Sequence, residues 1–218
     1  MIVSPPPHVA QIGGLGVLFV MATEQEYGPF LRRLITPVIT GVGPVEAAAA
    51  TGAALAHLAA ARTTVDLVFS LGSAGSRKLE HAAIYQIASV AYRDMDASAL
   101  GFPKGVTPFL QLPAVIPIPD HIPDVPAASI STGAAIVTGA GYDAIDADMV
   151  DMESFAVLRA AQRFGAPMIG LRGISDGRND LTGLHDWTEY LHVIDDKLAV
   201  ALEDFAGAVT AGRFRLRR

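Results

Sequence analysis

The chain lacks cysteine, and only 17% of its 218 residues are charged. Without cysteine it has neither disulfides nor thiolate metal sites, which fits a reducing compartment, and we expect a cytoplasmic protein. Acidic residues outnumber basic ones by 22 to 16, which gives a net charge of −6. A nucleic-acid binder needs a basic face, so nucleic acid is not an expected partner.

Long apolar segments are also missing. The most apolar helical run, residues 47–61, is rich in alanine and contains His57. It falls short of the ~20 strongly apolar residues that a membrane span requires. The first residues, MIVSPPPHVAQ, have no basic segment and no uninterrupted apolar stretch before the prolines, so we do not expect a signal peptide. We expect a soluble protein with no membrane partner and a flexible leader at residues 1–14.

Residues 15–218 carry enough apolar sequence for a single α/β domain, because 51% of the chain is hydrophobic. Runs of strand length alternate with helical patterns, which predicts a sheet with helices on both faces. The predicted strands are residues 15–21, 38–40, 66–70, 84–92, 134–137 and 167–174. The predicted helices are residues 24–34, an alanine-rich helix that begins at Pro44, residues 154–164 and residues 187–209.

Residues 106–130 interrupt this alternation. Six prolines lie in this segment, too closely spaced for a helix. We expect an extended segment on the surface, and the sequence leaves open whether it is a lid, a subunit contact or only a connector.

Polar and glycine-rich clusters follow several predicted strands. Ligands of open α/β sheets bind at the carboxyl ends of strands, so a site is expected where these clusters meet. The clusters contain Glu26, Ser73, Ala74, Gly75, Met152, Glu153, Ser175 and Asp176. Each cluster alone is a common helix start or cap, but three carboxylates and a glycine turn at one sheet edge indicate a catalytic pocket.

The sequence does not favour a cofactor or a metal. GVGPVEA has Glu46 where a dinucleotide loop needs a small residue, and it follows the second strand rather than the first. His185, Glu189 and His192 have helical spacing, but their setting is typical of a solvated amphipathic helix. GSAG is not a nucleophile elbow. We therefore expect no cofactor and no metal.

Residues 149–177, MVDMESFAVLRAAQRFGAPMIGLRGISDG, resemble the signature of the nucleoside phosphorylase superfamily. Within it, the likeness is greatest to 5′-methylthioadenosine/S-adenosylhomocysteine nucleosidases. ATEQEYGPFL, GVGPVEAAAATGAAL, LGSAGS and YRDMDASALGF resemble further parts of that family in the same order. The resemblance implies a three-layer α/β/α domain around a mixed twisted sheet, a homodimer, and a small-molecule nucleoside as substrate.

The resemblance also implies a role for each matching residue. Glu26 matches the carboxylate that activates water, and Asp176 matches the acid that protonates N7 of the leaving purine. The matching substrate-binding residues are Glu153 and Met152 at the ribose, Ser175 and Arg172 as supports, Ser73, Ala74 and Gly75 at the glycine turn, Tyr142 stacked on the purine, Asp143 at the base edge, and Leu100 at the 5′ pocket.

These residue types suit hydrolysis of an N-glycosidic bond. An acid near N7 assists departure of the purine, and an Asp holds that proton near neutral pH if burial raises its pKa. A carboxylate near the sugar stabilises its oxocarbenium character. A phosphorylase would need arginines for phosphate. GSAGS has serine where one is expected, whereas Arg77 keeps the phosphorylase alternative open.

Two regions depart from the family pattern, the proline-rich segment and the short link between Tyr142 and Met152. Leu100 also stands where the family commonly has an aromatic ring. The bond that is cleaved is therefore better supported than the 5′ group, and methylthioadenosine, S-adenosylhomocysteine, 5′-deoxyadenosine and futalosine-like nucleosides remain alternatives. A nucleoside sensor without catalysis is an alternative of another class.

Overall fold

The structure is a computed structural model that describes residues 6–178 and 183–217. In these residues nine strands form one mixed sheet. The strands are β1 (Val9–Ile12), β2 (Leu15–Met21), β3 (Val38–Ile39), β4 (Leu67–Gly75), β5 (Ile84–Tyr92), β6 (Val115–Pro117), β7 (Ala127–Thr132), β8 (Met149–Asp151) and β9 (Met168–Asp176). The helices are α1 (Pro44–Ala60), α2 (Ser154–Arg163), α3 (Leu184–Thr188) and α4 (Leu191–Thr210), with short 3-10 turns between some elements.

Five of the strands close into a ring. β4 pairs in parallel with β9, β9 pairs antiparallel with β5, and β5 pairs in parallel with β7. β7 then pairs with β8, and β8 returns to β4 through one bridge between Gly75 and Val150. β2 extends this ring beyond β4 and carries β1 and β3 on its other side. The predicted mixed sheet is confirmed.

Helices cover both faces of the sheet, as the sequence predicts. Arg172 on β9 reaches Ser154 at the start of α2, whereas a Cβ atom on the next residue, Gly173, would lie 2.4 Å from Ile194 of α4. Successive strand residues point to opposite faces, so α2 and α4 lie on opposite sides of β9. α1 packs on α2, which completes the three layers.

Several predicted elements agree with the structure. The strands at residues 15–21 and 84–92 have the predicted bounds, and α1 begins at Pro44. α2 ends at Arg163, just before the predicted stop at Gly165. These predictions are confirmed. The sequence could predict these elements because each is a single apolar run or one amphipathic face with a clear glycine or proline boundary.

The predicted helix at residues 24–34 is wrong. This segment forms turns and a 3-10 turn over Leu31–Arg33. Pro29 disfavours helical conformation at Gly28 before it. The backbone N–H groups of Phe30 and Leu31 donate to the buried Asp195 of α4, so this long-range carboxylate takes donors that a helix would have used.

The predicted strand at residues 134–137 is also wrong, since the strand lies earlier, at Ala127–Thr132. Side chains of the turn that follows β5 bind the backbone groups of this segment. Arg93 donates to the carbonyls of Gly133 and Ala135, and Asp94 accepts from the N–H of Ala134. The single helix predicted over residues 187–209 is two helices, α3 and α4, that break at residues 189–190.

The predicted flexible leader is corrected for residues 9–12, which form β1 and pair antiparallel with β2. Gly13 and Gly14 have φ of 54° and 91°, so the Gly-Gly pair that suggested flexibility is a two-residue hairpin turn. Residues 1–5 lie outside the described residues. Across residues 6–178 and 183–217, no helix has both the length and the apolarity to cross a bilayer.

The proline-rich segment is anchored to the sheet. Its residues Val115–Pro117 form the edge strand β6 against β5, a position that proline tolerates. The side chain of buried Gln86 donates to the carbonyls of Ile122 and Val125 and accepts from the N–H of Ile122. These hydrogen bonds hold the segment between β5 and β7 in place, and none of its residues lines the main cavity.

Candidate active site

A cavity of about 610 Å³ lies where β2, β4, β8 and β9 end. Its volume is in the range of small-molecule sites. Eight of the predicted site residues line it: Glu26, Ser73, Ala74, Gly75, Met152, Glu153, Ser175 and Asp176. The strand ends thus bring together residues that lie up to 150 positions apart in the chain.

Glu26 lies at the inner end of this cavity and is only 8% exposed. Its Oε1 accepts two hydrogen bonds from Ser73, one from the backbone N–H and one from the hydroxyl, both of 2.7 Å. Its Oε2 is buried and has no hydrogen-bond partner among the described residues. A second space of about 10 Å³ lies between Glu26, Thr40, Ser70 and Arg172, which is about the room that one water molecule needs.

Burial raises the pKa of Glu26, which the two Ser73 hydrogen bonds and the charge of Arg172 partly offset. A carboxylate with a raised pKa is a stronger base than an exposed one. Glu26 lines the water-sized space and has one unpartnered oxygen, so it is suited to accept a proton from water.

A buried ion pair supports the centre of the site. Arg172 Nη2 lies 3.0 Å from Asp151 Oδ2, and both side chains are almost completely inaccessible. The same nitrogen donates to the hydroxyls of Ser70 and Ser154. Asp151 also accepts from Ser154 and Thr132. Every strong donor and acceptor of the pair is engaged, so the guanidinium is held in one orientation below the cavity.

Glu153 brings a third carboxyl close to Glu26. Its Oε1 accepts a hydrogen bond of 2.8 Å from the N–H of Gly43. Burial, with the charges of Asp151 and Glu26, raises the pKa of Glu153 from 4.5 to about 7. Three carboxyls thus share one buried cation, Arg172, and the resulting negative potential favours a cationic sugar in the cavity.

Asp176 lies at the other end of the cavity beside a β-bulge. The ladder between β4 and β9 shifts after Ala74, so that Gly75 pairs with Asp176 and Ser175 has no opposite residue. Bulges redirect side chains next to functional sites. The Ser175 hydroxyl donates to Asp176 Oδ1 at 2.6 Å. Burial raises the pKa of Asp176 despite this hydrogen bond, so the carboxyl retains its proton at higher pH than an exposed aspartate.

A glycine of β4 lies next to each of the carboxyls of Glu26 and Asp176. A Cβ atom at Gly72 would lie 3.1 Å from Glu26 Oε1, and one at Gly75 would lie 2.8 Å from Asp176 Oδ2. The two positions are three residues apart on one strand, or about 10 Å. The absence of a side chain at these two positions lets each carboxyl lie close to the strand.

Of the four predicted residues that do not line the cavity, Arg172 lines the small second space, and the other three line neither. Leu100 is 77% exposed. Asp143 is exposed and pairs with Arg77. Tyr142 turns its hydroxyl toward Gly75, where it is buried and has no hydrogen-bond partner among the described residues. Ile136, Val137 and Thr138 occupy the stretch of the wall for which the sequence suggested the Tyr142 ring.

Sequence reasoning missed four features of the site, namely Asp151, Arg93, Trp187 and the segment 136–138. Arg93 lines the cavity, and its terminal nitrogens donate to four backbone carbonyls, those of Ser131, Gly133, Ala135 and Asp151. Trp187 lines the cavity from α3. As the single tryptophan of the chain, in the polar stretch GLHDWTEY, it was the one of these that composition could have singled out.

No group of three His, Asp or Glu side chains in residues 6–178 and 183–217 is arranged to hold a metal ion. The carboxyl groups of Glu26, Glu153 and Asp176 are among the groups that line the cavity. Glu26 has one oxygen without a partner among the described residues, and burial raises the pKa of Asp176.

Comparisons with known proteins concern the fold and the family. Residues 137–210 match the sequence profile of the phosphorylase superfamily. No curated protein sequence matches the chain.

Solved structures share the fold. A futalosine hydrolase mutant of Helicobacter pylori superposes with a TM-score of 0.72 at 19% identity, over 88% of this chain and 98% of its own. A mutant of the Helicobacter pylori methylthioadenosine nucleosidase with 5′-methylthioadenosine in its active site gives 0.74 at 19% identity, over 89% and 99%. The Streptococcus pyogenes S-adenosylhomocysteine nucleosidase with 5-methylthiotubericidin gives 0.71 at 20% identity, over 87% and 94%. The resemblance to the phosphorylase superfamily is therefore confirmed, by the fold and by the sequence of residues 137–210.

Proposed function

We propose that this protein hydrolyses the N-glycosidic bond of a 5′-modified adenosine of the methylthioadenosine type and releases adenine. The observation that carries the proposal is one cavity with Glu26 at one end and Asp176 at the other. Glu26 presents an unpartnered oxygen next to a water-sized space, and the pKa of Asp176 is raised by burial.

The reaction follows from these positions. Asp176 gives its proton to N7 of the purine as the bond between C1′ and N9 breaks, and the electron pair of that bond goes to the base. A water molecule attacks C1′ and gives a proton to Oε2 of Glu26. Glu153 binds the ribose hydroxyls, and Met152 packs on the sugar. General acid and general base each contribute ~10²–10⁴-fold to the rate.

The arginines favour water over phosphate as nucleophile. Arg93 and Arg172 are the arginines among the described cavity-lining residues. The first donates to backbone carbonyls, and the second donates to Asp151 and two serines. Arg77, which left the phosphorylase alternative open, donates to Asp143 and the carbonyl of Gly139. Phosphate binding would have to displace these bonds and approach Glu26 and Glu153.

The 5′ group is expected to be apolar where it leaves the ribose. Val42, Ile136, Leu184 and Trp187 line the cavity, which is larger than a bare nucleoside requires. A futalosine-type substrate is the second candidate, because a futalosine hydrolase shares the fold. A sensor without catalysis is less consistent with the site, since a binder has no use for a buried acid and base at opposite ends.

We also propose a homodimer that works in the cytoplasm. Leu100 and Phe109 are 77% and 90% exposed, and a second subunit would remove this apolar surface from water. Sedimentation analysis of the purified protein tests the dimer. A monomer at all concentrations would exclude it.

The first experiment is adenine release from methylthioadenosine, measured without phosphate and again with phosphate. Release without phosphate, with free methylthioribose as the other product, is the expected result. Release only with phosphate would make the protein a phosphorylase. Tight nucleoside binding without release in either buffer would favour the sensor. S-adenosylhomocysteine, 5′-deoxyadenosine and futalosine in the same assay then identify the preferred 5′ group.

A further inference from the structure

Trp187 is linked to the carboxyl of Glu26 through the hydroxyl of Ser73. It lies on the short helix α3, whose residues Gly183, Leu184 and Trp187 form one wall of the cavity. The indole Nε1 lies 3.0 Å from the hydroxyl oxygen of Ser73, to which it donates. The same hydroxyl donates to Oε1 of Glu26 at 2.7 Å. A chain of two hydrogen bonds thus joins this wall to Glu26.

The directions of these two bonds are dictated by chemistry. The indole N–H can only donate, so the Ser73 oxygen must accept from it. The single Ser73 proton is then free for Glu26. Because the Ser73 N–H also donates to Oε1, that oxygen has two donors, and a proton that Glu26 takes up goes to Oε2.

We propose that Trp187 is a positioning residue for catalysis, which orients the Ser73 hydroxyl so that Oε1 of Glu26 is occupied and Oε2 receives the proton of water. This inference rests on the proposed hydrolysis for its kinetic consequence, whereas the hydrogen-bond chain itself does not depend on it.

Other charged groups near Glu26 also influence its titration, and their influence must be distinguished from that of Trp187. Arg172 of β9 and Asp151 of β8 act on Glu26, and Glu153 at the start of α2 titrates beside it. Asp176 faces the cavity from the end of β9, and α3 itself carries His185 and Asp186. Of these, only Glu26 shares the Ser73 hydroxyl with Trp187.

The kinetic test is a double-mutant cycle of Trp187→Phe and Ser73→Ala. Phenylalanine keeps a ring in the wall and removes the N–H. In the wild-type background we expect kcat to fall about three- to tenfold, the net effect of one hydrogen bond. The acidic limb of the pH–rate profile should move to higher pH, because a weaker Ser73 bond raises the pKa of Glu26.

In the Ser73→Ala background, Trp187→Phe should change neither kcat nor the pH profile, because the indole then has no hydroxyl to orient. An equal loss in both backgrounds would overturn the inference and leave Trp187 as a packing residue. Unchanged melting temperatures for the variants would show that the comparison is between folded proteins.

A second test needs no activity, because Trp187 is the only tryptophan in the chain. The emission of the full-length protein is followed from acid to mildly alkaline pH. We expect a step in the wild type that disappears in Glu26→Gln and in Ser73→Ala, and that persists in Glu153→Gln. A step retained in both Glu26→Gln and Ser73→Ala would refute the hydrogen-bond chain. If the step behaves as expected but no purine is released, the proposed function is wrong, whereas the hydrogen-bond chain from Trp187 to Glu26 is still supported.

Discussion

Replacing Glu153 with glutamine should stabilise the protein above neutral pH and change its stability little in acid. The pKa of Glu153 is raised from 4.5 to about 7, chiefly by burial. A carboxyl whose pKa is raised in the folded state ionises more easily in the unfolded state, so a pH at which it ionises favours unfolding. Its contribution to stability is therefore complete below pH 4.5 and is lost as the pH rises through about 7.

The magnitude follows from the same two values. A rise from 4.5 to about 7 corresponds to about 3 kcal/mol at alkaline pH, since one unit is 1.36 kcal/mol. Glutamine keeps an oxygen for the Gly43 N–H but loses about 1 kcal/mol of charge-assisted bonding. The net gain is about 2 kcal/mol, or ~4–8 °C in melting temperature for a chain of this size.

Urea unfolding near pH 4.5 and well above pH 7 measures this difference. Glu203→Gln, the same change at an exposed position of α4, is the matched control and should show no such pH dependence. Equal free energies of unfolding for Glu153→Gln and the wild type at alkaline pH would refute the reasoning. Turnover should fall in the same variant, because glutamine removes the negative charge beside the sugar.

The remaining predictions concern the other polar groups of the site. Asp176→Asn should lower kcat ~10²–10⁴-fold with the fold intact, while Asp143→Asn, at an exposed position, should retain activity; purine release and circular dichroism measure both. Glu26→Gln should bind nucleoside in calorimetry and fail to hydrolyse it, and loss of folding would instead mean that Glu26 is structural. Asp151→Asn should cost about 3–5 kcal/mol of unfolding free energy in urea, because it leaves Arg172 buried without its partner; a change below ~1 kcal/mol would contradict the role assigned to this pair.

Sequence reasoning reached most of the polar site because its residues follow strand ends. Ser73 and Asp176 lie in the last residues of their strands, and Glu153 and Glu26 follow theirs by two and five residues. A sheet brings such positions to one edge. Tyr142 was different. Its backbone lies in a 3-10 turn, after a segment whose backbone groups bind side chains of the turn that follows β5. No local sequence pattern indicates such a long-range contact.

The sequence by itself determined those strands and helix starts that depend only on residues close together in the chain. Apolar runs of seven to nine residues formed β2 and β5, and Pro44 began α1. These features need only periodicity and backbone sterics.

Tertiary structure decided what depends on distant partners. Asp195 of α4 takes the donors that would have made residues 24–34 helical, and the bulge at Ser175 directs Asp176 into the cavity. Trp187 reaches Ser73 across 114 positions of the chain. Hydrogen bonds of this kind link residues through space rather than along the chain, so only the folded structure reveals which donors and acceptors are left for chemistry.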